Sequence, residues 1–162
     1  MPLSKILTLE GALLLRQGLK ENRKTFVTTN GTFDIIHPAH IEILEKAKDQ
    51  GDILLVLVNS DYSVTLNKDP KRPILHQEDR IKILSALEAI DYLLLFDEKE
   101  VLPLLEQLKP DVHVKGGTFI PERIKKEKEF VESYGGKHLS FPLIGNYSTT
   151  SIIEEILRRY RG

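Results

Sequence analysis

Thr28-Thr29-Asn30-Gly31-Thr32-Phe33-Asp34-Ile35-Ile36-His37-Pro38-Ala39-His40 is the stretch on which the fold of this chain turns. It follows the apolar pair Phe26-Val27 and leads into an amphipathic segment, residues 41–49, so the local order is strand, tight turn, helix. Pro38 suits a first helical position, where a backbone N–H would have no partner anyway, and this puts His37 near the N-cap. His37 and His40, three apart, share one helix face. Imidazoles meeting free backbone N–H groups at the positive end of a helix make a place for phosphate. Two histidines with neither a cysteine nor a well-spaced third ligand do not complete a zinc site.

Outward from this stretch, strands and helices alternate. Residues 8–20 are expected to form a helix capped by Thr8, with Ala12, Leu15 and Leu19 on its apolar side. We read residues 1–24 as a helical extension packing on the domain of residues 25–162, or on a second subunit. Strands are expected at 24–29, 53–58, 92–96, 112–114 and 138–141, and further helices at 78–89, 101–108, 121–134 and 152–160. The unbroken apolar run of residues 53–58, ILLVLV, is that of a strand covered on both faces. The alternation implies an α/β, doubly wound (Rossmann-like) fold: a five-stranded parallel sheet with helices on both faces. Ligands of such folds bind outside the carboxyl ends of the strands, at a switch in strand order. Loops 31–40 and 115–119 are therefore the expected lips of a site.

The polar Asn59-Ser60-Asp61 reads as the end of the second strand. Residues 66–73, with Lys68, Lys71 and Arg72 among Asp69, Pro70 and Pro73, read as a basic mobile loop. Residues 122–132 read as a solvated charged helix face, and His76, His113 and His138 fall into no pattern.

With 162 residues, one domain with a substantial core is expected. Hydrophobic and charged fractions of 41% and 29% are those of a soluble globular protein. A formal charge of -1 argues against an obligatory nucleic-acid partner. The absence of cysteine excludes disulfides and cysteine-based zinc sites and fits a reducing cytoplasm. Ala12-Leu13-Leu14-Leu15, short and flanked by Glu10 and Arg16, is expected to be neither a signal peptide nor a membrane span.

Gly31-Thr32-Phe33-Asp34 followed by His37-Pro38-Ala39-His40 resembles the GxFDxxHxGH signature of the cytidylyltransferase-like nucleotidyltransferases. Val58-Asn59-Ser60-Asp61, Arg72-Pro73, Arg80, Val114-Lys115-Gly116-Gly117 and Ser148-Thr149-Thr150-Ser151-Ile152-Ile153 then fall in the order seen in one branch of that family. That branch is the D-glycero-β-D-manno-heptose 1-phosphate adenylyltransferases, found alone or fused to a sugar kinase. The resemblance spans roughly residues 25–160. It implies transfer of AMP from ATP to a sugar 1-phosphate with release of pyrophosphate.

The acceptor phosphate of such a reaction is already an anionic nucleophile. The protein's work is positioning and charge neutralisation, not nucleophilic catalysis. Catalysis is accordingly expected of His37, His40 and Lys68. The nucleotide is expected to be held by Asn30, Gly31, Thr32 and Phe33, by both histidines, and by Arg72, Lys115, Gly116, Ser148, Thr149 and Thr150. The acceptor would be held by Asp34, Asp61, Arg80, Gly117 and Thr118. Lys68 or Arg72 would close over the phosphates, and the N-terminus of the last helix would grip the triphosphate tail. Mg²⁺ is the expected counter-ion, carried by phosphate oxygens and water with no confident side-chain ligand. The expected partners are ATP, a phosphorylated sugar or polyol and a second copy of the chain, with no membrane.

Four positions depart from the family pattern. Ala39 stands where glycine usually precedes the second histidine, Thr118-Phe119 replaces an Asp-Tyr pair, and Leu66 replaces an arginine. The lost carboxylate falls on the acceptor side and admits a different acceptor. Two alternatives follow: a cytidylyltransferase acting on glycerol 3-phosphate or a similar polyol phosphate, and a non-catalytic nucleotide-binding module.

Overall fold

Five strands, β1 (Phe26–Gly31), β2 (Ile53–Asn59), β3 (Tyr92–Phe96), β4 (Val112–Gly116) and β5 (Lys137–Phe141), form one parallel sheet in the order β3-β2-β1-β4-β5. The structure is a computed structural model and describes residues 5–117, 120–142 and 145–162. Successive side chains of β2 take opposite faces, as strand geometry requires. Leu54, Val56 and Val58 enter one core, and Leu55 and Leu57 the other. The first core is closed by α2 (Pro38–Lys48), through Leu44 and Ala47, and by α4 (Gln77–Ser85), through Ile81 and Leu84. The second is closed by α1 (Leu9–Glu21), α5 (Leu102–Leu108) and α6 (Pro121–Ser133), which contribute Ala12, Leu19, Leu104, Leu105, Leu108 and Val131. This is the doubly wound α/β sheet expected from the sequence.

The first helix packs on the domain, one of the two placements expected for it: Ala12 is fully buried, and Arg16 makes a two-pronged bond to Asp111, both contacts at 3.0 Å. One element differs from expectation: the chain after β2 does not run straight into a loop, because α3 (Asp61–Asn67) intervenes. Ser60 caps it by accepting from the Ser63 N–H, and Val64 is buried. Capping and one buried contact sustain a helix too short and too rich in β-branched residues for periodicity to reveal.

β1 pairs with β2 on one side and with β4 on the other, so strand order switches between β1 and β4. Their carboxyl ends, Asn30-Gly31 and Lys115-Gly116, lie together at that switch. The last helix, α7 (Thr149–Tyr160), contributes no buried residue to either core.

Candidate active site

A cavity of about 510 Å³ opens over the switch point. One wall is the turn from β1 into α2. His37 is the N-cap of α2 in extended conformation and Pro38 the first helical residue, as their spacing predicts. Phe33, with φ 52, occupies the left-handed region that bulky side chains avoid, and it is nonetheless buried. Its ring centroid lies 5.3 Å from that of His40, so the strained turn braces the second histidine.

The His37 and His40 rings stack at 3.7 Å, and the Tyr147 ring lies 6.1 Å beyond His37. The His37 backbone N–H donates to His40 Nδ1 at 3.3 Å. Accepting at Nδ1 leaves the neutral His40 imidazole with its proton on Nε2. Burial, and then the neighbouring His37, lower the His40 pKa to about 4, and burial lowers that of His37. Both imidazoles are therefore neutral at pH 7, and His40 offers an N–H donor.

The second wall is the basic segment after α3. The Asp34 carboxylate is fully buried. It accepts from Arg72 Nε at 2.7 Å, from the Ile74 N–H at 2.9 Å and from the Leu75 N–H at 2.9 Å. Burial would raise its pKa, but the Leu75 and Ile74 amides together with Arg72 outweigh burial and hold it below the usual carboxylate value. Asp34 thus anchors the segment that carries Arg72 and Lys68 to the histidine turn. The Lys68 pKa is lowered by burial and then by Arg72, with Asp34 pulling the other way.

The third wall is β4, α6 and the start of α7. Lys115 Nζ donates to Asn30 Oδ1 at 2.9 Å and to Glu127 Oε1 at 3.3 Å. A side chain on Gly116 would come within 2.6 Å of Ile43, and Gly117 takes φ 88, so this turn requires both glycines. Arg123 pairs with Glu100 at 3.1 Å and donates to Asn67 at 2.9 Å, tying α6 to the far lip. Ser148 caps α7 by accepting from the Ser151 N–H, and Ser151 Oγ accepts from the Ser148 N–H, both at 2.9 Å. Thr149 and Thr150 then stand at the positive end of α7, where anions are favoured.

The cavity brings together Asn30, Gly31, Thr32, Phe33, Asp34, His37, His40, Lys68, Arg72, Lys115, Gly116, Gly117, Ser148, Thr149 and Thr150. Asp61 and Arg80, expected to hold the acceptor, do not line it. Arg80 is fully buried and bonds the carbonyls of Thr32, Asn59 and Leu75 and the carboxylate of Asp61. It clamps the ends of β1 and β2 beneath the site, because a guanidinium offers five donors and carbonyls freed at strand ends need them. Thr118 lies outside the described residues.

Sequence reasoning missed Arg123, Glu127 and Tyr147, which also line the cavity. The 122–132 segment is not a solvated face throughout, since Glu127 and Val131 are buried. Ile124 and Val131 mark an inner stripe at helical spacing, with Glu127 the one charged residue between them on that face; that spacing was the available signal.

The cytidylyltransferase-like family model matches residues 28–155. The bifunctional protein HldE of Geobacter metallireducens is 45% identical over 157 residues, covering 97% of this chain and 32% of that protein. The HldE of Syntrophotalea carbinolica is 47% identical over 137 residues, 85% of this chain and 28% of that protein. The chain thus spans about a third of the length of these curated relatives. Among solved structures, the lipopolysaccharide core biosynthesis protein from Thermoplasma volcanium superposes with a TM-score of 0.64 at 25% identity, over 75% of this chain and 99% of that one. The pantoate-beta-alanine ligase from Francisella tularensis gives 0.64 at 19% identity, covering 94% and 78%, and shares the fold.

Proposed function

This chain belongs to the cytidylyltransferase-like family, and from that premise we propose that it transfers AMP from ATP to a sugar 1-phosphate, with D-glycero-β-D-manno-heptose 1-phosphate the first acceptor to try. The observation that carries this is the convergence on one cavity of two neutral stacked histidines, five cationic residues (Lys68, Arg72, Lys99, Lys115 and Arg123) and the positive end of α7. No buried hydroxyl–base pair is required. An oxygen of the acceptor phosphate attacks the α-phosphorus. The bond from that phosphorus to the α–β bridging oxygen breaks, and its electron pair leaves with pyrophosphate.

His40, with its proton on Nε2, donates to the charge that grows on the transferring phosphoryl group, and the cations neutralise the departing pyrophosphate. The α7 N-terminus receives the phosphate tail. Mg²⁺ would be carried by the phosphate oxygens and water, adding positive charge there. Similarity to proteins named HldE, and to one titled for lipopolysaccharide core biosynthesis, supports a sugar acceptor whose product feeds a surface polysaccharide. The protein would act in the cytoplasm as a homodimer, a state supported by the exposed Ile156, Leu157 and Tyr160 of the amphipathic α7. No helix among the described residues is long and apolar enough to cross a membrane.

The test is pyrophosphate release with Mg²⁺, ATP or CTP, and a panel of sugar 1-phosphates and polyol phosphates. ATP with the heptose 1-phosphate should give the fastest release. Faster release with CTP and glycerol 3-phosphate would replace this reading with the cytidylyltransferase one. ATP binding without release from any acceptor would favour a non-catalytic module.

A further inference from the structure

Beneath the cavity floor, a row of polar side chains crosses three strands on one face of the sheet. Thr28 of β1 pairs in register with His113 of β4, which pairs with His138 of β5. Covering the two imidazoles is Glu127 of α6. All three of the latter are at most 9% exposed. Glu127 Oε2 lies 3.8 Å from His113 Nε2 and 3.6 Å from His138 Nε2, and the three atoms lie within 4.8 Å of one another. Each of them is buried with no hydrogen-bond partner among the described residues. Buried polar atoms are almost always satisfied, and three orphans aimed at a common point are a donor set in need of an acceptor of electron pairs.

We propose that His113 Nε2, His138 Nε2 and Glu127 Oε2 bind one divalent first-row transition ion, with zinc as the probe. Two donors on a tetrahedral ion, each about 2.0–2.2 Å from it, stand roughly 3.4 Å apart. The gaps of 3.8 and 3.6 Å to Glu127 are close to that spacing, and the two imidazole nitrogens, within 4.8 Å of one another, would draw together as the ion binds. Two imidazoles and one carboxylate are a borderline set that suits Zn²⁺, Fe²⁺, Co²⁺ or Ni²⁺ over Mg²⁺, which prefers oxygen alone.

The surroundings agree with this use. His113 Nδ1 lies 2.7 Å from Thr28 Oγ1, an acceptor within reach of Nδ1–H in the tautomer that metal binding at Nε2 requires. Burial, then Lys115 and His138, push the His113 pKa well below its ordinary value, keeping the neutral form that ligates. The Glu127 carboxylate divides its oxygens, Oε1 to Lys115 and Oε2 to the imidazoles. The ion would pin α6 to β4 and β5 and fix the carboxylate that holds Lys115 on the cavity floor. The site is independent of which nucleotide or acceptor the cavity takes.

The test is zinc titration of the full chain after EDTA treatment, in competition with a chromogenic chelator, followed by thermal melts. One equivalent should bind, and Tm should rise by roughly 5–10 °C at free zinc about 100-fold above Kd. Co²⁺ should give the visible absorption of a low-coordinate site. His138→Leu and Glu127→Gln, the second nearly isosteric and so expected to fold, should each weaken zinc binding at least about 100-fold. A His37→Ala/His40→Ala double variant should bind it as the parent does. Absence of uptake by the parent, uptake unchanged in both site variants, or uptake lost only in the double variant would each overturn the proposal.

Discussion

His37 and His40 sit three residues apart on one helix, stacked at 3.7 Å at the edge of the cavity, whereas His113 and His138 meet only because β4 and β5 pair in register. The first pair is organised by local chain geometry. A cap, a proline and a backbone N–H, all within four residues of one another, orient the rings. The second pair is assembled by the sheet and completed by a carboxylate from a third element. Burial lowers the pKa of His37, His40 and His113 alike, yet the consequences differ: at the cavity edge a neutral ring offers a donor to phosphate, whereas inside the sheet His113 Nε2 has no hydrogen-bond partner among the described residues. The lesson is that a histidine's use follows from what else reaches its second nitrogen.

The largest effect that separates the pairs is on turnover. His40→Ala should reduce pyrophosphate release by about 10²–10³-fold, the range for losing one preorganised donor. Its Tm should stay within roughly 3 °C of the parent. His138→Leu, measured per folded molecule, should stay within about tenfold on the scale of that donor's loss. Comparable losses from both would erase the distinction between a chemical pair and a structural one.

Next in size is stability. Glu127→Ala in the metal-free chain leaves Lys115 and two imidazoles buried around a gap, and it should lose about 3 kcal/mol in urea unfolding, as broken buried ion pairs do. An unchanged midpoint would mean that the carboxylate carries no structural load.

Acid should then report on the cavity pair. The folded His40 pKa of about 4 lies below its ordinary 6.5. Between those values the unfolded chain takes up a proton that the folded chain refuses. Stability is therefore full above pH 6.5 and declines as pH falls towards 4, by something on the order of 1–3 kcal/mol. His40→Gln should flatten that stretch of the stability–pH curve, as read by denaturation at stepped pH. A curve parallel to the parent's would mean that His40 already protonates near its ordinary value.

The smallest effect concerns Ala39, buried between the two cavity histidines. Ala39→Gly restores the family glycine and should lower stability by about 1 kcal/mol, the usual helical penalty. A gain in turnover on top of that would identify the methyl group as crowding the nucleotide.

Most of the cavity was legible because its parts are local. The strand–turn–helix at 28–40, the glycine turn at 115–117 and the cap at 148–150 each carry their chemistry within a few residues, and the order of strands delivers them to one place. Arg80 and Asp61 do not line the cavity, because a sequence motif records that a residue matters, not whether it faces the ligand. Both serve as a clamp under β1 and β2. α3 was missed because seven residues give too few turns for a periodic signal.

The sequence by itself determined the doubly wound sheet, the position of its switch point and the His37–His40 pair. Apolar runs, turn residues and caps act over distances that the chain's own spacing encodes. Only the tertiary structure decided that Glu127 turns inward, that Arg80 is sealed from the cavity and that His113 meets His138. Each of those depends on strand register and helix packing between segments far apart in the chain, and one residue's shift in register would send a strand's side chains to the opposite face.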